Sequence, residues 1–146
     1  SPPDVLPAPM RSTYTVAAEI LENALAREAL WVAADRECRP VGYAVLREAD
    51  GLAFLQQVDV LPDHGNRGLG TALVGRVLAR ARELRYSALY LTTFRHVPWN
   101  APFYAKLGFT EPPLGELPEP VLVMLAGELA VAPGRVAMRL DLPGCQ

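Results

Sequence analysis

The sequence predicts an α+β fold: a mixed, mostly antiparallel sheet covered by helices on both faces. Three β-rich runs, Leu30–Ala34, Val41–Leu46 and Leu52–Val60, follow one another with only turns between them, which reads as a meander. A helical stretch then separates the third run from a fourth, Ala88–Thr93, so those two strands are expected to run parallel. A length of 146 residues, 51% of them hydrophobic, suits a single domain over residues 1–146 with a sizeable core.

Charge and cysteine usage narrow the function classes. A net charge of −2 offers no basic footprint for nucleic acid. No apolar run approaches the ~20 residues of a membrane span. Cys38 and Cys145 stand apart from each other and from histidines, so neither a metal site nor a disulfide framework is expected. A reducing, cytoplasmic location is the default for such a chain.

Taken in order, the first nine residues carry four prolines and cannot open a regular helix or a central strand. From Tyr14 to Ala29, Val16, Ile20, Leu21, Ala24 and Leu25 recur at helical spacing, with charges mainly opposite. Strand Leu30–Ala34 ends in the polar turn Asp35–Arg39. Asp50-Gly51 is a hairpin signal favouring positive φ, and strand Leu52–Val60 follows it, its alternation stumbling at Leu55–Gln57. Leu69, Leu73, Val77, Ala81 and Leu84 stripe the next helix. After Ala88–Thr93, Asn100–Leu107 is a short helix with Gly108 as its stop. On that helix Phe103 and Leu107 share a face and are expected to anchor it, while Tyr104 is free to turn its hydroxyl into a cleft. Glu119–Val131 reads as a further helix and Arg135–Leu142 alternates as a final strand.

The segment between the third strand and its following helix carries the chemistry. Glycines at 65, 68 and 70 let the chain curl with N–H groups inward, at the positive end of a helix dipole. That suits a phosphate or pyrophosphate, with Arg67 able to add a charge-assisted contact. A nucleoside-triphosphate loop would need GxxxxGK, and this segment holds no Lys. A dinucleotide fingerprint would need a third glycine where Leu73 stands.

VDVLPDHGNRGLGTALV resembles the acetyl-CoA pyrophosphate loop of the GNAT N-acetyltransferase superfamily, whose core is Arg/Gln-x-x-Gly-x-Gly/Ala. Gly68 and Gly70 match its small positions, and Gly65 departs from its first. WNAPFYAKLGF, residues 99–109, resembles the family's Asn-led helix ending in Tyr-x-Lys-x-Gly-Phe. The two motifs, in order, make the resemblance cover residues 30–142. It implies a GNAT-like fold with Leu52–Val60 and Ala88–Thr93 splayed around acetyl-CoA. It implies cofactor contacts from Gly65, Asn66, Arg67, Gly68, Leu69, Gly70 and Thr71, from main-chain groups of Val58 and Val60, and from Asn100, whose alternative role is to cap its helix.

The same resemblance implies acetyl transfer from acetyl-CoA to a primary amine by direct attack, the acceptor being a small molecule or a peptide. Tyr104 would protonate the departing CoA thiolate, a task within reach of a phenol. Many relatives keep a carboxylate on the third strand to take the amine's proton. Here that stretch carries Gln56 and Gln57, with Asp59 the nearest carboxylate. His64 and His96 read as loop hydrogen-bonders, so water or a low amine pKa would deal with the proton. The glutamines favour a rival reading, a non-catalytic acyl-CoA sensor or interaction module. The family's fold also opens with a strand and helix that the Pro-rich residues 1–9 do not supply. The first strand is therefore expected to be missing. Leu30–Ala34 would then be an edge open to pairing with another chain, as in a homodimer.

Overall fold

The computed structural model describes residues 29–64 and 68–143. Its five strands are β1 (Leu30–Ala34), β2 (Pro40–Ala49), β3 (Leu52–Val60), β4 (Ala88–Phe94) and β5 (Arg135–Asp141). The helices are α1 (Leu69–Glu83), α2 (Ala101–Lys106) and α3 (Glu119–Val131). The strands form one sheet in the order β1-β2-β3-β4-β5. β3 pairs parallel with β4, and β1–β2 and β4–β5 pair antiparallel, as the spacing of helices and turns predicts. The expected helix Tyr14–Ala29 and the expected absence of a first strand fall on residues 1–28, outside the described residues but for Ala29.

By chain contacts the molecule divides into two compact units. The described part of the first holds β1, most of β2, β3 from Leu55, and α1. In it β1 crosses β2 from Leu30↔Val45 to Ala34↔Pro40, with a register shift between Ala33 and Ala34. α1 buries Leu73, Val77 and Ala81 of the stripe read from the sequence, together with Val74, whereas Leu69 and Leu84 of that stripe are only partly buried. Gly42 on β2 leaves no room for a side chain, since a Cβ there would stand 2.9 Å from the carbonyl oxygen of Asp59. The side chains of Leu73 and Val60 crowd the same spot at 3.3 Å.

The second unit takes the β2–β3 hairpin, residues 48–54, with everything from Arg85 onward. The hairpin turns on Asp50 and Gly51, both at positive φ (55° and 75°), the geometry a two-residue turn requires. β4 and β5 pair along their whole length, from Ala88↔Asp141 to Phe94↔Arg135. Phe54, Tyr90 and Ala137 on one sheet face pack with Leu117, Val121 and Leu125 beneath α3. Leu140, next to Arg139 and so on the opposite face, meets the turn that ends α2, where a Cβ on Gly108 would lie 3.3 Å from Leu140 Cδ1. This part of the sheet is thus covered on both sides. Toward the C-terminal end of β4, Glu128 of α3 accepts hydrogen bonds from Thr92 Oγ1 and from Arg135, both at 2.7 Å. The Arg135 guanidinium also lies 4.5 Å above the Phe94 ring.

Candidate functional site

The first unit carries the strand–turn–helix segment. β3 ends at Val60, a short 3-10 turn covers Pro62–His64, and Gly68 stands at the N-cap of α1. Gly68 adopts φ 74°, ψ 9°, the left-handed conformation that glycine reaches without strain. The first helical bond runs from the Ala72 N–H to the Gly68 carbonyl at 3.0 Å. The N–H groups of Leu69, Gly70 and Thr71 therefore have no carbonyl within the helix to bond. Among the described residues no side chain caps this end, and the first turn holds no acidic residue that would neutralise its dipole. Among the described residues, a Cβ on Gly68 would have nothing within 4 Å. Such a terminus is built to accept an anion. Gly65, Asn66 and Arg67 lie outside the described residues.

Val58 and Val60 are partly buried near the end of β3. The Leu61 N–H donates to the Val41 carbonyl at 2.8 Å, so it points toward β2. The Val60 N–H, one residue earlier, points away from β2 and donates to Asp59 Oδ1 at 2.7 Å. Burial lifts the Asp59 carboxyl from its ordinary 3.8 to about 6, opposed in part by that hydrogen bond. Sequence reading did not foresee this contact; the only signal available was an Asp between two strand valines. Gln56 and Gln57 are partly buried on the same strand.

Tyr104 and Asn100 sit in the second unit. α2 begins with Pro102 in its first turn and ends with Gly108 at φ 103°, the stop expected of it. The N–H of Phe109 bonds to the Tyr104 carbonyl at 3.1 Å, and that of Gly108 to the Ala105 carbonyl, also at 3.1 Å. This is the Schellman closure, which brings the side chains of Tyr104 and Phe109 together. Their rings meet edge to face at 5.6 Å, and Phe103 adds a second such contact to Tyr104 at 5.1 Å. Tyr104 is in consequence the buried residue of this helix, whereas Phe103 and Leu107, expected as its anchors, are only partly buried. The closure after Gly108, more than helical periodicity, decides which ring goes in. Asn100 occupies the N-cap, yet its side chain makes no capping bond.

Comparison with known proteins adds what the geometry leaves general. A family model described as acetyltransferase (GNAT) matches residues 4–109. The chain belongs to the GNAT acetyltransferase family. Its fold is shared with N-acetylglutamate synthase from Neisseria gonorrhoeae, complexed with coenzyme A and N-acetyl-glutamate (TM-score 0.74, 18% identity). That match covers 97% of this chain and 32% of the synthase chain, so the chain spans about a third of that relative. The Mycobacterium tuberculosis protein Rv2747, solved with CoA, is similar at TM-score 0.73 and 24% identity over 97% of this chain and 93% of its own. Ard1 from Thermoplasma volcanium gives TM-score 0.68 and 19% identity over 98% and 94%. The GNAT chain is thus an enzyme of the acetyltransferase class with the GNAT α+β fold. Among its described residues, no helix is long and apolar enough to cross a membrane.

Proposed function

We propose that this GNAT domain moves an acetyl group from acetyl-CoA to a primary amine of a small molecule or peptide, in the cytoplasm. The observation that carries the reading is the N-terminus of α1, with Gly68 left-handed, no side-chain cap among the described residues and no acid in the first turn. The pyrophosphate of acetyl-CoA would rest on main-chain N–H groups of residues 65–71, Arg67 adding charge. Val58 and Val60 would lend main-chain groups to the pantetheine amides, in the manner of one more strand laid along β3. The uncapped Asn100 side chain would contact the same arm.

The amine nitrogen attacks the thioester carbonyl, the C–N bond forms and the C–S bond breaks. Tyr104 donates its phenolic proton to the departing sulfur, giving CoA thiol. The proton shed by the acylated nitrogen passes to water, since Gln56 and Gln57 cannot hold it. Rings of Phe103 and Phe109 against Tyr104 support a fixed position for that acid.

Titration calorimetry tests the reading: CoA thioesters should bind, and ATP and NAD should bind little. Bulky residues at Gly68 or Gly70 should abolish binding, at Gly68 because no L side chain fits φ 74° without strain. Equal affinity for ATP would point to a nucleotide module instead. Thiol release from acetyl-CoA across polyamines, amino acids, aminoglycosides and peptide N-termini then identifies the acceptor. No release with any amine would favour an acyl-CoA sensor.

A further inference from the structure

We infer that Asp59 is a positioning residue that holds the Val60 N–H closed in the free enzyme and yields it to the pantetheine arm of acetyl-CoA. The inference rests on the proposed role of Val60 and goes beyond it by naming what occupies that amide beforehand. Three observations in the first unit converge. The bond from Val60 N–H to Asp59 Oδ1 is short, at 2.7 Å. The neighbouring Leu61 N–H is spent on the Val41 carbonyl, which fixes the Val60 N–H on the edge of β3 turned away from β2. Gly42, with room for no side chain, lets β2 approach the Asp59 carbonyl closely. β2 thus pins the main chain of Asp59, and the adjacent carboxyl folds along its own strand onto the next amide.

An unpaired N–H on a strand edge attracts other chains and needs a partner. A carboxylate on the preceding residue supplies one without covering the edge with another segment. It also competes with the incoming amide carbonyl of the arm, because one N–H cannot serve both acceptors at full strength. Above pH 7 the carboxyl, at about 6, is ionised, so the bond to be exchanged is a charge-assisted one. Acetyl-CoA binding is therefore weaker than the open strand would allow, and selective for an arm able to replace that bond. The chemical step is untouched, since the contact with the arm is the same before and during reaction.

The test is acetyl-CoA binding and steady-state kinetics on wild type, Asp59→Ala and Asp59→Asn, with the Val60 amide followed by ¹⁵N–¹H NMR. Asp59→Ala should bind CoA about tenfold more tightly, lower KM for acetyl-CoA and leave kcat unchanged. Asp59→Asn, which keeps a neutral acceptor, should fall between. In free wild type the Val60 amide proton should lie downfield of its position in Asp59→Ala, and CoA should bring the two spectra together. Equal or weaker CoA binding by Asp59→Ala, or a Val60 resonance indifferent to Asp59, overturns the inference. If Asp59→Ala does not fold, the near-isosteric Asp59→Asn and the NMR shift decide alone. Wild type that binds no CoA would defeat the proposed acyl-CoA site itself, a result distinct from any of these.

Discussion

Tyr104 is two things at once, the packed residue of α2 and the proposed acid. Tyr104→Phe separates them, because the ring contacts with Phe103 and Phe109 survive while the hydroxyl is lost. Turnover should fall by roughly 10²–10³-fold with CoA affinity nearly intact, and the basic limb of the pH–rate profile should change. Full activity in the Phe variant would make Tyr104 purely structural. Asp59 has a signature in stability. Its folded pKa of about 6 lies above the ordinary 3.8, so the folded state holds its proton more tightly than the unfolded one. The resulting stabilisation is complete below pH 4 and is lost as pH rises through 6. Asp59→Asn should accordingly melt higher than wild type at pH 7.5, and the gap should close by pH 4. A gap independent of pH would mean that burial does not govern this carboxyl. Tyr86 is also raised but by a different leading cause: its hydroxyl donates to Glu48 at 2.6 Å, and that bond, with burial, lifts the phenol to about 12.

Elements joined by side chains give the next prediction. Glu128 ties α3 to both β4 and β5 through Thr92 and Arg135. Glu128→Ala would leave Arg135, whose side chain is only 24% exposed, without its carboxylate partner. A loss of about 1–3 kcal/mol in urea unfolding is expected, and a neutral outcome would show the clamp to be ornamental. Much of this level was legible beforehand. The Asp50-Gly51 turn, the Gly108 stop, the α1 stripe and the parallel β3–β4 pair all rest on local signals: positive φ, 3.6-residue spacing and a helical crossover. What escaped depended on closure and neighbours. α2 is too short for periodicity to choose its buried ring, so the contact across Gly108 selected Tyr104. Ala53, Phe54 and Leu55 are buried in succession, which alternation does not anticipate. Asn100 has the right identity for a cap and does not act as one. The Asp59–Val60 bond needed the direction of an N–H, and only a paired strand supplies that.

For the molecule entire, ligand and core contribute separately to stability. Acetyl-CoA at about 100 times its Kd should stabilise the fold by about 2.7 kcal/mol and raise the melting temperature, while ATP should not. A shift with ATP equal to that with acetyl-CoA would contradict the proposed selectivity. Leu89, fully buried on β4, sets the comparison: Leu89→Ala should cost about 2–5 kcal/mol. In a saturation mutagenesis screen for acetyl transfer, Gly42 and Gly68 would both score as intolerant, and a heat map would print them alike. They fail for unlike reasons. Among the described residues nothing crowds a Cβ on Gly68, which has only the wrong handedness for an L residue, whereas Gly42 has a carbonyl oxygen 2.9 Å from where a side chain would begin. Chemical synthesis tells them apart: a D-alanine at position 68 suits the left-handed backbone, and the helix end should survive it. Mirror-image chemistry can thus ask whether a glycine is kept for its twist or for its emptiness, a distinction the twenty encoded residues cannot draw.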